Sequence, residues 1–103
     1  MGMDTISPME AISYIGKPDV LFVDIRDAED YRRGHIPGAK WMQVEELLRH
    51  REMLKKHRMV IICCERGNAS LLAARELRDL PNEIRSIAYG ISEYHGPLTG
   101  GRY

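Results

Sequence analysis

Two adjacent cysteines, Cys63 and Cys64, follow an apolar run over 59–62 and precede Glu65-Arg66-Gly67-Asn68-Ala69-Ser70. A cysteine between a buried strand and the start of a helix sits where unpaired backbone N–H groups and the helix dipole converge, a setting that favours thiolate over thiol. Gly67 relieves steric restriction in the loop and Asn68 tolerates left-handed backbone, so the amides of residues 65–70 can curl into an anion-binding cradle. The chemistry this implies is nucleophilic: Cys64 attacks through sulfur while the cradle holds negative charge. Arg66 adds a cation that could attract an anionic substrate, and Glu65 beside it cancels much of the long-range attraction. Cys63 reads instead as a small core residue at a strand end, since cysteine is among the most buried residue types.

Other side chains carry weaker signals. Asp24 and Arg26 stand at the end of a second apolar run, where an Asp beside a helix start reads as an ordinary cap or ion pair. His35 lies in Gly34-His35-Ile36-Pro37-Gly38, where it is expected to fix a turn by hydrogen bonding rather than to act as a base. Trp41 reads as core or rim packing, and His50 and His57 as members of a solvated helix face. The histidines at 35, 50, 57 and 95 show no zinc-type spacing with the cysteines, and adjacent cysteines leave no residue for a chelating turn, so no metal is expected. Adjacent cysteines also exclude a disulfide scaffold. Redox pairing of the two would require Cys63 to swing out of a buried strand end.

The elements that must position Cys64 follow from apolar pattern and punctuation. Ser7-Pro8-Met9-Glu10 is a capping-box start for a helix over 8–15, which Gly16 and Pro18 stop. Continuous apolar runs over 20–24 and 59–63 have the length of strands covered on both faces. Residues 27–33 carry acids first and bases last, as a helix dipole prefers, and Gly34 ends them. Val44, Leu47, Leu48 and Leu54 recur at helical spacing and predict an amphipathic helix over 43–56. A helix over 70–80 offers Leu71, Leu72, Ala74, Leu77 and Leu80 to a core, a third strand covers 84–88, and a short helix covers 91–95. Alternation of strands and helices implies an α/β fold with a small parallel sheet flanked by helices on both faces, whose ligands bind at the carboxyl ends of the strands. Asp24 and Cys64 both lie at such ends.

A chain of 103 residues is expected to form a single domain over 1–103. With 44% hydrophobic and 29% charged residues it has the composition of a packed globular protein. Fifteen basic residues balance fifteen acidic ones, so no overall field draws it to nucleic acid or to anionic lipid. The segment from Arg49 to Arg58 mixes bases with Glu52 and apolar residues and reads as a helix, not a nucleic-acid stripe. No apolar run approaches the roughly 18 to 20 residues needed to cross a bilayer, and the first residues show neither a basic nor an apolar leader region. The expected location is cytoplasmic.

Two separated segments resemble the rhodanese-like family. Asp24-Ile25-Arg26, Tyr31 and Gly34-His35-Ile36-Pro37-Gly38-Ala39 are similar to the family's Asp-x-Arg element and its Gly-His-Ile-Pro-Gly-Ala turn. Cys64-Glu65-Arg66-Gly67-Asn68-Ala69-Ser70 is similar to its catalytic loop. The resemblance implies a single-domain sulfurtransferase in which Cys64 takes a sulfane sulfur from thiosulfate or a persulfide and passes it to cyanide or a thiol, including a protein thiol. It further implies that Glu65, Arg66, Gly67, Asn68, Ala69 and Ser70 bind substrate, that no cofactor is used, and that the protein is a monomer or weak homodimer. Ala69 stands where many members have arginine, so weak use of thiosulfate is expected. A non-catalytic partner-binding or regulatory module is the alternative reading. A phosphatase or arsenate reductase of related fold would need arginine closing the loop, where this chain has Ser70.

Overall fold

The computed structural model describes residues 4–100. Its elements in chain order are β1 (Thr5–Ile6), α1 (Pro8–Ile12), β2 (Val20–Asp24), α2 (Ala28–Arg33), β3 (Lys40–Trp41), α3 (Val44–Arg49), α4 (Arg51–Leu54), β4 (Met59–Cys63), α5 (Asn68–Glu76) and β5 (Glu83–Ile87), followed by a 3-10 turn at Ile91–Glu93. The five strands form one sheet in the order β1-β5-β4-β2-β3, and every pairing is parallel. β4 lies in the middle, with Asp24 of β2 opposite Cys63. Crossover helices therefore cover both faces, and the loop after β4 opens between the ends of its two neighbours.

Alternation along the central strands divides the core into two layers. Leu21, Val23, Val60 and Ile62 face α3, α4 and α5, where Leu47, Leu54, Ala73, Ala74 and Leu77 meet them. Phe22, Met59, Ile61, Cys63 and Ile87 face the opposite layer with Ala11, Ile36 and Tyr94. Each large side chain so buried stabilises the fold by about 1.5–3 kcal/mol, which makes β4 the best-anchored element and its end a firm base for the loop.

The strands over 20–24 and 59–63 form as their apolar runs predict, and α1 starts as expected, with Ser7 Oγ accepting the Glu10 N–H at 3.0 Å. Four expectations are corrected. The helix over 8–15 ends at Ile12, where Ser13 Oγ donates to the Glu10 carbonyl at 2.7 Å and Gly16 follows at φ 88°. The helix over 43–56 breaks at His50, whose N–H is shared between the carbonyls of Glu46 and Leu47 in a tightened last turn. Asn82 Nδ2 then donates to the Leu54 and His57 carbonyls at 2.8 and 2.9 Å and holds the end of α4. The helix expected over 70–80 runs instead from Asn68 to Glu76, which turns Ser70, Ala73 and Ala74 inward and leaves Leu72 62% exposed. The two-residue edge strands β1 and β3 carry no apolar run and were not expected.

Candidate active site

Cys64 follows β4 directly and is only 6% exposed, yet it lies at the wall of a pocket. Its sulfur is met from three directions. The Gly67 N–H donates to Sγ at 3.2 Å, the Ser70 N–H donates to it at 3.3 Å, and the Ser70 hydroxyl lies at 3.2 Å. The two amides come from the residue that precedes α5 and from its first turn, where helical N–H groups have no intrahelical partner. Within the expected cradle of residues 65–70, these are the amides that reach the sulfur; Glu65, Arg66, Asn68 and Ala69 form the pocket wall instead. A sulfur anion here is held by fixed donors that need no reorganisation.

The loop takes this shape because a second segment clamps it. The Ile91 N–H donates to the Cys64 carbonyl at 2.9 Å, and the Ser92 N–H donates to the Glu65 carbonyl at 3.0 Å. Both contacts require close backbone approach. A Cβ on Gly67, at φ 95°, would stand 2.9 Å from the Tyr89 nitrogen. Tyr89 itself is held at φ 62°, the one non-glycine residue with positive φ among those described, with its side chain 70% exposed. Such backbone costs about 1–2 kcal/mol and persists only where surrounding contacts impose it. Gly90 and Tyr89 stand against the cysteine loop without any sequence motif that marks the role.

Asp24 and Arg26 brace the other side. The Asp24 carboxylate is fully buried and receives the Arg26 backbone N–H at 3.0 Å, Nε at 3.0 and 3.1 Å, and an Nη at 2.8 Å. That Nη also donates to the Gly34 carbonyl at 2.7 Å, tying the β2 end to the end of α2. Burial works against the Arg26 charge, but the hydrogen bonds to Asp24 and the negative charges around it together outweigh burial and raise its pKa. Cys63 lies beside this pair with its side chain in the opposite layer; burial pushes its thiol well above the ordinary range and the Asp24 carboxylate adds to the effect. Of the two cysteines, Cys64 is the one that lines the pocket.

The pocket, about 330 Å³, is lined by Ile25, Arg26, Asp27, Asp30, Cys64, Glu65, Arg66, Asn68 and Ala69. Its charges are uneven. Arg26 is committed to Asp24, and Glu65 approaches its remaining edge at 3.9 Å. Asp30 pairs with Arg33 at 3.1 Å, whereas Arg66 forms no ion pair among the described residues. The wall thus presents three carboxylates and one uncommitted guanidinium.

His35 does hold a turn: Nδ1 lies 2.8 Å from the Tyr31 carbonyl, and its ring stacks on Tyr31 with centroids 3.7 Å apart. Trp41 is a rim residue, donating through Nε1 to the Arg26 carbonyl at 2.7 Å. Among the described residues no cluster of three or more His, Cys, Asp or Glu side chains could hold a metal ion, and no helix is long and apolar enough to cross a membrane.

Comparison with known proteins agrees with this architecture. The family model of the rhodanese-like domain matches residues 7–96. The chain is 31% identical over 97 residues to the thiosulfate sulfurtransferase GlpE of Coxiella burnetii, covering 91% of both. It is 31% identical over 84 residues to a tRNA sulfurtransferase of Desulfurococcus amylolyticus, covering 82% of this chain and 17% of that protein, so it spans about a sixth of that relative's length. The crystal structure of a thiosulfate sulfurtransferase from Pseudomonas aeruginosa superposes with a TM-score of 0.82 at 24% identity, covering 96% of this chain and 20% of that one, and shows the same fold. With a matching family model over most of its length and a full-length relative at this identity, the chain belongs to the rhodanese-like domain family.

Proposed function

We propose that the protein is a sulfurtransferase whose nucleophile is Cys64. The single observation that carries this reading is the convergence of two amides and one hydroxyl on Cys64 Sγ at 3.2–3.3 Å. The thiolate attacks the outer sulfur of a donor, the donor's S–S bond breaks, and its electron pair leaves with sulfite or with a thiolate. Cys64 then carries a persulfide, which leaves the site uncharged at Sγ and anionic at the outer sulfur. A thiolate or cyanide attacks that outer sulfur, forms a new persulfide or thiocyanate, and returns Cys64 as thiolate. Dividing the transfer into two displacements keeps each one simple, and the preorganised donors on Sγ stabilise the thiolate that attacks in the first and departs in the second.

The pocket charges favour a donor with less negative charge than thiosulfate. A thiosulfate dianion would meet Asp27, Asp30 and Glu65 with only Arg66 uncommitted. A thiol persulfide, small or on a protein, carries its charge on the transferred sulfur and suits this wall better. Such chemistry needs reduced thiols, in keeping with a cytoplasmic setting. No group on the protein beyond its own side chains and amides is needed for either displacement. The reading is tested by thiocyanate formation from thiosulfate and cyanide: Cys64→Ser abolishes turnover, a loss of about a thousandfold or more, whereas turnover unchanged in that variant contradicts it.

A further inference from the structure

Behind the reactive sulfur lies a side chain that takes no part in the pocket. Ser86 is on β5, opposite Ile62 of β4, and is 1% exposed. On its face of the sheet the strand neighbour Ile84 and the facing Ile62 are buried and apolar, so the hydroxyl is placed in surroundings where an unbonded polar group is costly. It finds a partner in Ser70, at an Oγ–Oγ distance of 2.6 Å, and has no other side-chain partner among the described residues. Ser70 Oγ is in turn 3.2 Å from Cys64 Sγ and 3.4 Å from the Gly67 carbonyl oxygen.

We propose that Ser86 is a positioning residue for the nucleophile, acting through Ser70. Ser70 has one hydroxyl hydrogen and three acceptors within reach. By distance alone that hydrogen would go to Ser86, and the sulfur would receive none. Ser86, however, has a hydrogen of its own with Ser70 Oγ as its acceptor. Once Ser86 donates into Ser70, the Ser70 hydrogen is released to choose between the Gly67 carbonyl and the sulfur. With Cys64 as thiol, S–H donates to Ser70 Oγ and the Ser70 hydrogen turns to Gly67. With Cys64 as thiolate, the same hydrogen turns to Sγ. Ser70 is thus a rotor, and the hydrogen bond it receives from Ser86 polarises its hydroxyl and strengthens its donation to the sulfur. No proton passes along the chain; the thiol proton leaves to solvent and only the Ser70 hydroxyl reorients.

The orienting role concerns the thiolate itself, and its effect on turnover rests on the persulfide reading. The test is therefore alkylation of Cys64 by iodoacetamide, followed by mass in the full chain, which needs no sulfur donor. Ser86→Ala slows alkylation at neutral pH by about three- to tenfold, the scale of one weakened bond to a charged group, and the deficit closes at strongly alkaline pH, where both proteins are fully ionised. Thermal unfolding is recorded alongside. A second pair, Ser86→Thr and Ser86→Val, differs in the hydroxyl at constant shape: the threonine variant alkylates near the wild-type rate and the valine variant near that of alanine. A folded Ser86→Ala protein that alkylates at the wild-type rate overturns the proposal, as do equal rates in the threonine and valine variants. If Ser86→Ala does not fold, the threonine and valine pair decides. Failure of the protein to accept sulfur from any donor would leave these rates, and this inference, untouched.

Discussion

A Cβ built on Gly90 would lie 2.5 Å from the carbonyl oxygen of Cys64, closer than any side chain tolerates. The backbone of Cys64 therefore rests directly on the segment after β5, which is held there by the Ile91 N–H at 2.9 Å. Gly90 is also at φ 63°, where an L-residue is strained, so space and conformation exclude substitution together. Gly90→Ala is expected to destabilise the fold by about 2–4 kcal/mol and to displace the loop. Urea unfolding measures the first effect, and slowed alkylation of Cys64 in the folded fraction measures the second.

The Asp24–Arg26 pair is buried, with a side-chain exposure of 0% at the carboxylate and 7% at the guanidinium. Removing one partner leaves the other unpaired in the interior. Asp24→Ala or Arg26→Ala is expected to cost about 3–5 kcal/mol each, while the double variant costs much less than their sum. Chemical denaturation of the three variants gives the cycle, and additive losses would show that the pair does not act as a unit.

Cys63 and Cys64 are neighbours in sequence, but Cys63 packs in the core and Cys64 lines a pocket. Because burial raises the Cys63 thiol well above its ordinary range, mild iodoacetamide treatment at neutral pH is expected to add one label, at Cys64, readable by peptide mass. The same shift has a sign for stability. The unfolded chain loses the Cys63 proton above about pH 8.5, whereas the folded chain keeps it, so the contribution is present below that pH and is lost as pH rises toward the folded value. Cys63→Ala should flatten the alkaline fall of the unfolding free energy between about pH 8.5 and 10 relative to wild type.

Glu65 faces the pocket with its side chain 57% exposed, 3.9 Å from Arg26. Glu65→Gln removes one of the three carboxylates that confront an anionic donor. We expect kcat/KM for thiosulfate to rise about three- to tenfold at low salt, and the gain to shrink as ionic strength increases. An uncharged or cationic persulfide donor should show no such gain.

How far the sequence speaks is clear from particular residues. The apolar runs at 20–24 and 59–63 announce β2 and β4 because strands covered on both faces cannot hide polar positions, and the parallel register of the two then sets Asp24 opposite Cys63, one residue before Cys64. The loop 65–70 is visible in its glycine and its place before a helix. Less visible is β1, a two-residue strand that exists because the carbonyls of Asp4 and Ile6 receive the N–H groups of Ser86 and Ala88, a pairing that apolar pattern does not encode. Ser86 looks like an ordinary polar residue in a strand until β5 is laid against β4. Tyr89 likewise gives no sign in sequence of the left-handed backbone in which a loop clamp holds it outward. Tertiary contact, not local propensity, decides all three.

The most direct measurement of the central claim is intact mass after incubation with thiosulfate and, separately, with a persulfide donor, for wild type, Cys63→Ser and Cys64→Ser. The wild type and Cys63→Ser are expected to gain one sulfur atom, about 32 Da, which cyanide removes, with the persulfide donor loading more completely than thiosulfate. Cys64→Ser should gain nothing. Absence of that gain in wild type with both donors, or its persistence in Cys64→Ser, would contradict the assignment of Cys64 as the sulfur-carrying nucleophile.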